Sequence, residues 1–300
     1  MKPPMTHLCR LLFVLFFVFV WAGAQEVTLL EPGAEPRQEL RYRPEVGMTS
    51  TTVLTQRITT SAEMDGEETP SFDLPPIRMT MTASVDEVSE AGDIHYSFAY
   101  SEVELLVEET AGGVDSAVLQ ELQEGIGMLQ GAGGRMVINE RGVVLSAELD
   151  TPEAEPEFAA LFEDLEGTFE QFATPFPEEA VGVGACWESS STVTQGGLSI
   201  EQTSLFELTE LDGDLVGLEV TMTQASGEGM LEMAPNQDIE IISLTGSGSG
   251  RYLLDLTGLF GQGNLRLTTE SEMVLTEMND EQRVTSVTTV DMTWEEEEDE

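Results

Sequence analysis

Positive charge, cysteine and histidine are all scarce in this chain, and each shortage removes a class of function. Only 12 Lys and Arg stand against 57 Asp and Glu, for a formal charge of −45, and the single lysine is Lys2. Self-repulsion on that scale keeps a chain in solution and opposes binding to polyanions, so nucleic acid is excluded as a partner. The two cysteines are Cys9 and Cys186, and the two histidines are His7 and His95. A transition-metal site of the usual His/Cys kind takes three or four such ligands, so no metal and no other cofactor is expected. Long apolar runs are missing as well: the longest, residues 11–21, has eleven residues, where a membrane span needs about 20.

That short run has its own meaning. Lys2 and Arg10 precede it and Ala22-Gly23-Ala24 follows, which is the charge, core and small-residue order of a secretory signal cleaved after Ala24. The expected mature chain, residues 25–300, is soluble, extracytoplasmic (periplasmic or secreted) and without an integral span. Losing Lys2 and Arg10 removes two positive charges and no acid, which takes the formal charge from −45 to −47. Cys9 lies ahead of the apolar run, so no cysteine stands where a lipid-modified N-terminus would begin. Cys186 is then alone, and no disulfide within the chain can form.

Against these absences, 40% of the residues are hydrophobic, enough to build a core. Alternation dominates. Ile77, Met79, Met81, Ala83 and Val85 alternate with Arg78, Thr80, Thr82 and Ser84, and Ile94, Tyr96, Phe98 and Tyr100 repeat the pattern after the turn Ala91-Gly92-Asp93. This predicts a β-hairpin with one buried and one wet face. Upstream, residues 47–60 are rich in Thr and Val and predict a mostly polar, half-exposed strand. Two stretches carry helical spacing instead: Val114, Val118, Leu122, Ile126 and Leu129, then Phe158, Leu161, Phe162, Leu165, Phe169 and Phe172.

The two halves also echo each other. Ile77, Met79, Val85, Gly92, Asp93 and Ile94 correspond at constant offset to Leu198, Ile200, Phe206, Gly213, Asp214 and Leu215, and further on, after a shorter spacer in the second half, Gly134-Arg135 corresponds to Gly250-Arg251. The fold expected is mainly β: two related antiparallel β-sheet modules with two amphipathic helices packed on or between them. The expected boundaries are 1–24 for the signal, 25–150 for the first module, 151–179 for a helical connector, 180–294 for the second module and 295–300 for an acidic, disordered tail.

The block Phe176-Pro177-Glu178-Glu179-Ala180-Val181-Gly182-Val183-Gly184-Ala185-Cys186-Trp187, between a Phe-rich helical stretch and a Thr-rich strand, resembles a pattern seen midway in an uncharacterised family of secreted bacterial proteins and lipoproteins. The resemblance implies a bacterial source and an extracytoplasmic location. It supplies no activity.

Residues able to carry chemistry are few. His95, the one histidine of the mature chain, falls on the face opposite Ile94, Tyr96 and Phe98, where a solvent-facing strand residue is expected rather than a catalytic base. Cys186 has no basic neighbour in sequence to lower its pKa and is expected to be a small hydrophobe beside a core tryptophan, unless it joins two chains. Gly246-Ser247-Gly248-Ser249-Gly250-Arg251 lacks the lysine and Ser/Thr ending of a phosphate loop and no helical pattern follows it. Like Gly131-Ala132-Gly133-Gly134-Arg135, it is expected to be a strand or bend admitting close backbone approach. Asp212-Gly213-Asp214 lacks the spaced acids of a calcium loop and is expected to be a hairpin turn. No catalytic, cofactor-binding or metal residue is assigned.

Three functional classes fit these features. The first is a non-catalytic binding or structural protein of the bacterial cell envelope, for an apolar ligand or a protein partner. The second is a secreted hydrolase using carboxylate chemistry, and the third an outer-membrane β-barrel.

Overall fold

The structure is a computed structural model that describes residues 25–69, 71–107, 116–127, 129–150, 174–195, 198–227, 229–234, 237–277 and 280–297. The signal expected at 1–24 and the second helical stretch, 158–172, lie outside the described residues.

Among the described residues fifteen strands form one sheet, and every pairing is antiparallel. In chain order they are β1 (Glu26–Pro32), β2 (Thr49–Met64), β3 (Glu67–Glu68), β4 (Phe72–Asp73), β5 (Ile77–Val88) and β6 (Ile94–Leu105), then helix α1 (Ser116–Gly127), β7 (Gly133–Ile138), β8 (Val144–Asp150) and β9 (Ala185–Gln195). There follow β10 (Leu198–Asp212), β11 (Leu215–Ser226), β12 (Gly229–Ala234), β13 (Gln237–Asp255), β14 (Gln262–Glu277) and β15 (Asp280–Glu296). Across the sheet the order is β1-β9-β10-β11-β13-β14-β15-β2-β5-β6-β7-β8, with β12 on β13 and the short β3 and β4 on β2.

This order corrects the expectation of two modules. β2 from the start of the chain pairs with β15 from its end, and β1 pairs with β9, so hydrogen bonding runs unbroken through both halves. One large apolar cluster likewise draws on both, from Ile58, Met81 and Phe98 to Trp187, Phe206, Leu267 and Val290. Of the two helices expected, the second falls outside the described residues, and among these α1 is the one helix. Its apolar spacing is the one read from the sequence, and Leu122 and Ile126, with Leu129 just beyond, are buried in that cluster. The half-exposed strand expected at 47–60 is β2: Ser50, Thr52, Leu54, Gln56, Ile58, Thr60 and Ala62 are buried on one face while the residues between them keep accessible surface. It lies inside the sheet, between β15 and β5. Glu295 and Glu296, expected in the acidic tail, pair with β2 as the end of β15.

One rim of the sheet is closed by two connecting segments, 33–48 and 174–184. Gln38 and Val181 bridge them, the Tyr42 N–H donates to the Glu140 carbonyl at 2.7 Å, the Arg43 N–H to Leu256 at 2.6 Å, and the Phe176 N–H to Arg141 at 2.8 Å. Turns that are distant in sequence are thereby tied to one crossing. Leu40, Tyr42, Phe176, Val181 and Trp187 lie buried beneath it. Gly142 is required there twice over: its φ is +78°, a region that favours glycine, and a Cβ would come 2.7 Å from the Tyr42 ring.

Candidate functional site

The residues singled out from sequence are not brought together. His95 on β6 is partly exposed and pairs across strands with Glu87 and Val137. Cys186 on β9 is partly buried, and burial first, then the carboxylates of Glu207 and Glu31, push its thiol above the usual range. A thiolate is the nucleophilic form, so this setting makes it a poor one.

Asp212-Gly213-Asp214 closes the β10–β11 hairpin, with Gly213 at φ +62°. The Asp214 carboxylate is paired with Arg43, and the Gly213 carbonyl accepts from Gln38 Nε2 at 2.9 Å. It is a structural turn tied to the rim. Of the glycine-rich stretches, Gly246–Arg251 lies within β13, while Gly131, at φ +81°, is in the turn that leads into β7 at Gly133; both strands admit close approach. A Cβ on Gly134 would sit 2.8 Å from the Phe98 ring, and one on Gly248 would sit 2.8 Å from the Arg266 carbonyl and 3.1 Å from Leu267 Cδ1.

What sequence reading missed is a polar row on the inner face of the sheet. Register aligns Thr60 of β2 with Thr288 of β15, Thr288's neighbour on β14 is Thr269, and the row continues through Gly246 of β13, Gln224 of β11, Gln202 of β10 and Ser191 of β9. It lies at the height where the apolar interior divides. On β2, Ile58 belongs to the larger cluster and Ala62 to a smaller one. On β10 the same division falls between Phe206 and Ile200, on β14 between Leu267 and Met273, and on β15 between Val290 and Val284. Ser204, Ser271 and Ser286 thicken the band.

Much of the band satisfies itself. Thr60 and Thr288 hydroxyls pair at 3.1 Å, Ser271 and Ser286 at 2.7 Å, and Gln224 Nε2 donates to Gln202 Oε1 at 2.6 Å. Two atoms are left over. Gln224 Oε1 and Ser191 Oγ are buried without a hydrogen-bond partner. The signal that could have revealed the row is the interruption of each strand's inward alternation by Ser, Thr or Gln, but aligning the interruptions needs the register.

Toward the closed rim, β13 to β15 present Gly248, Gly250, Tyr252, Gly263, Met292 and Trp294 inward. The Tyr252 and Trp294 rings meet edge-on at 5.0 Å. Gly263 lies beneath the indole, where a Cβ would come 2.7 Å from Trp294 Cζ2. Tyr252, Met292 and Trp294 pack on the larger cluster yet stay partly exposed. An open cleft of about 670 Å³ at the same strands is lined by Thr209, Glu210, Glu219, Arg251, Asn264 and Thr293, and by Tyr252, Gly263 and Trp294 as well. Arg251 there is paired with Glu219. No group of three His, Cys, Asp or Glu able to hold a metal occurs among the described residues.

Comparison with known proteins adds a family and little else. Residues 162–259 match a family of unknown function, DUF6263, and the matched stretch contains the Phe176–Trp187 block. No curated protein matches. Among solved structures, a mutant of the Rh. blastica porin shares 9% identity, covering 81% of this chain and 100% of that one, at a TM-score of 0.21. Salmonella typhi OmpF, in complex with daunomycin, shares 6% over 80% of this chain and 97% of that one at 0.19, and Acinetobacter baumannii OccAB3 shares 6% over 83% and 99% at 0.17. TM-scores this low carry no argument about fold or function. The chain is thus a mainly antiparallel β protein, about a third of which is similar to an uncharacterised family.

Proposed function

We propose that this chain works outside the cytoplasm of a bacterium, after loss of residues 1–24, as a non-catalytic binding protein of the cell envelope. Its inner sheet face receives an apolar ligand, or an apolar segment of a protein partner. The observation that carries the reading is the partly uncovered group Tyr252, Met292 and Trp294, beside the bare backbone of Gly248 and Gly250. Large apolar side chains that sit on a core yet keep accessible surface are what a ligand site offers. Carboxylate catalysis is less well supported: it needs an acid in an apolar setting, and among the described residues no Asp or Glu is buried.

The test is lipid extraction from the purified mature protein, with mass spectrometry to detect co-purified apolar molecules. Brominated fatty chains are expected to quench the fluorescence of Trp294, and the Trp294→Phe variant to lose that quenching. Absence of both co-purified lipid and quenching rejects the ligand reading.

A transmembrane barrel is the second reading. No helix among the described residues is long and apolar enough to cross a membrane, which says nothing of strands. Against it, the outward row Arg57–Asp291–Arg266 lies mid-strand on β2, β15 and β14, where a lipid-facing basic residue costs about 2–4 kcal/mol. Alkaline carbonate extraction separates the two: release into the supernatant supports the soluble protein, and retention in the membrane pellet the barrel.

A further inference from the structure

We propose that the inner row Ser191–Gln202–Gln224 recognises the neutral, hydroxyl- or amide-bearing head of an amphipathic ligand, whose apolar part lies against the larger core. This rests on the apolar-ligand reading above and adds the chemistry of the head. The row is an anomaly for a core. Six strands turn polar on the buried side at one height, where apolar alternation would have packed better, and Gln202, Gln224 and Ser191 are at least nine-tenths buried. Burying polar side chains costs stability unless each finds a partner. The Thr60–Thr288 and Ser271–Ser286 pairs meet that condition.

The Gln end of the row does not. Gln224 spends its amide N–H on Gln202, leaving Oε1 as a pure acceptor that calls for a donor. Ser191 Oγ, on the other side of Gln202, is equally unpartnered. The neighbour across from Gln224 on β13 is Gly246, and a Cβ there would come 2.9 Å from Gln224 Oε1. A side chain at 246 would therefore crowd the atom that lacks a partner.

The charge of the head follows from what faces inward. The arginines of these strands, Arg57, Arg251, Arg266 and Arg283, are exposed on the opposite face, where Glu219, Asp291 and Glu272 meet Arg251, Arg266 and Arg283 in turn. An anionic head placed on the row would be buried without a counter-charge. A neutral hydroxyl or amide N–H gives the Gln224 carbonyl its missing donor at no such cost.

The experiment measures binding of the full mature protein to three oleoyl probes: dioleoylglycerol and dioleoyl phosphatidic acid, with two chains each, and methyl oleate, a single-chain ester without a donor. Dioleoylglycerol is expected to bind at least ten-fold more tightly than phosphatidic acid. Gln224→Leu and, separately, Ser191→Ala are each expected to weaken dioleoylglycerol by several-fold while leaving methyl oleate unchanged. Circular dichroism of each variant checks that the sheet is intact, and Ser191→Ala, which removes a single oxygen, keeps the test open should Gln224→Leu misfold. Equal affinity for the glycerol and phosphate heads overturns the inference, as does wild-type binding by both folded variants, which would mean that water alone serves the row. Binding of methyl oleate without preference for the glycerol overturns it while the apolar-ligand reading stands. Failure of all three probes overturns both.

Discussion

Trp187 holds three parts of the chain at once. It stacks on Phe206 with ring centroids 5.6 Å apart, meets Phe176 edge-on at 6.2 Å, and donates from Nε1 to the Pro175 carbonyl at 2.8 Å. It is fully buried, so Trp187→Ala removes packing and strands a carbonyl; a loss of about 3–5 kcal/mol is expected by urea denaturation. Its neighbour Cys186 is expected to alkylate slowly with iodoacetamide at pH 8. Glu207→Gln should speed the reaction, since Glu207 is the larger of the two charges that raise the thiol's pKa. An unchanged rate in that variant would remove Glu207 from the account. Both neighbours were legible in the sequence as a core aromatic and an unactivated thiol. The acids around the thiol were not, because they come from β10 and β1.

At the scale of elements, α1 and β2 show the two ways in which sequence pattern meets tertiary context. The three- and four-residue spacing of Leu122, Ile126 and Leu129 was sufficient to place a helix on the core, and Leu122→Ala is expected to cost about 2–5 kcal/mol by the same denaturation assay. For β2 the polar composition pointed to a half-wet strand. Composition reports the propensity of a segment, and one face of β2 does stay wet; what composition does not carry is the place of the strand between two others. Paired on both sides, β2 buries Ser50, Thr52, Gln56 and Thr60. The candidate site shares this origin: each polar residue of the inner row is ordinary in its own strand, and alignment across seven strands makes it a band.

For the molecule as a whole, charge and tyrosine burial set opposite responses to solution conditions. Arg41, Arg43, Arg78, Arg141, Arg251, Arg266 and Arg283 are all paired with acids, yet most of the 57 acids have no basic residue to meet. Screening that repulsion should raise the melting temperature between 0.05 and 1 M NaCl, measured by scanning calorimetry. A melting temperature indifferent to salt would contradict the view that the acids repel one another in the fold.

Alkali acts through the three buried tyrosines, Tyr42, Tyr96 and Tyr100. Burial, the leading cause in each, raises their pKa values above the usual range, with a hydrogen bond to Thr174 partly offsetting it at Tyr42 and the charge of Tyr42 adding to it at Tyr96. A raised folded pKa favours the protonated form in the fold. Their contribution is therefore complete below the unfolded value of about 10 and is lost as pH climbs toward the folded ones. Their tyrosinate absorbance should stay low up to that point and then rise together with loss of the sheet. Early titration of these three in a folded protein would show that they are not sealed.

The amino-acid sequence by itself determined the secondary-structure class, the β5–β6 and β10–β11 hairpins, the inward and outward faces of their strands and the acidic surface. Those follow from local periodicity, turn residues and composition, none of which needs a distant partner. The tertiary structure alone decided that both halves share one sheet, that β2 is interior, that segments 33–48 and 174–184 cross to close a rim, and that polar residues line up inside. Each of these depends on strand order and register, which are set by contacts between residues far apart in the chain, and no local pattern carries that information.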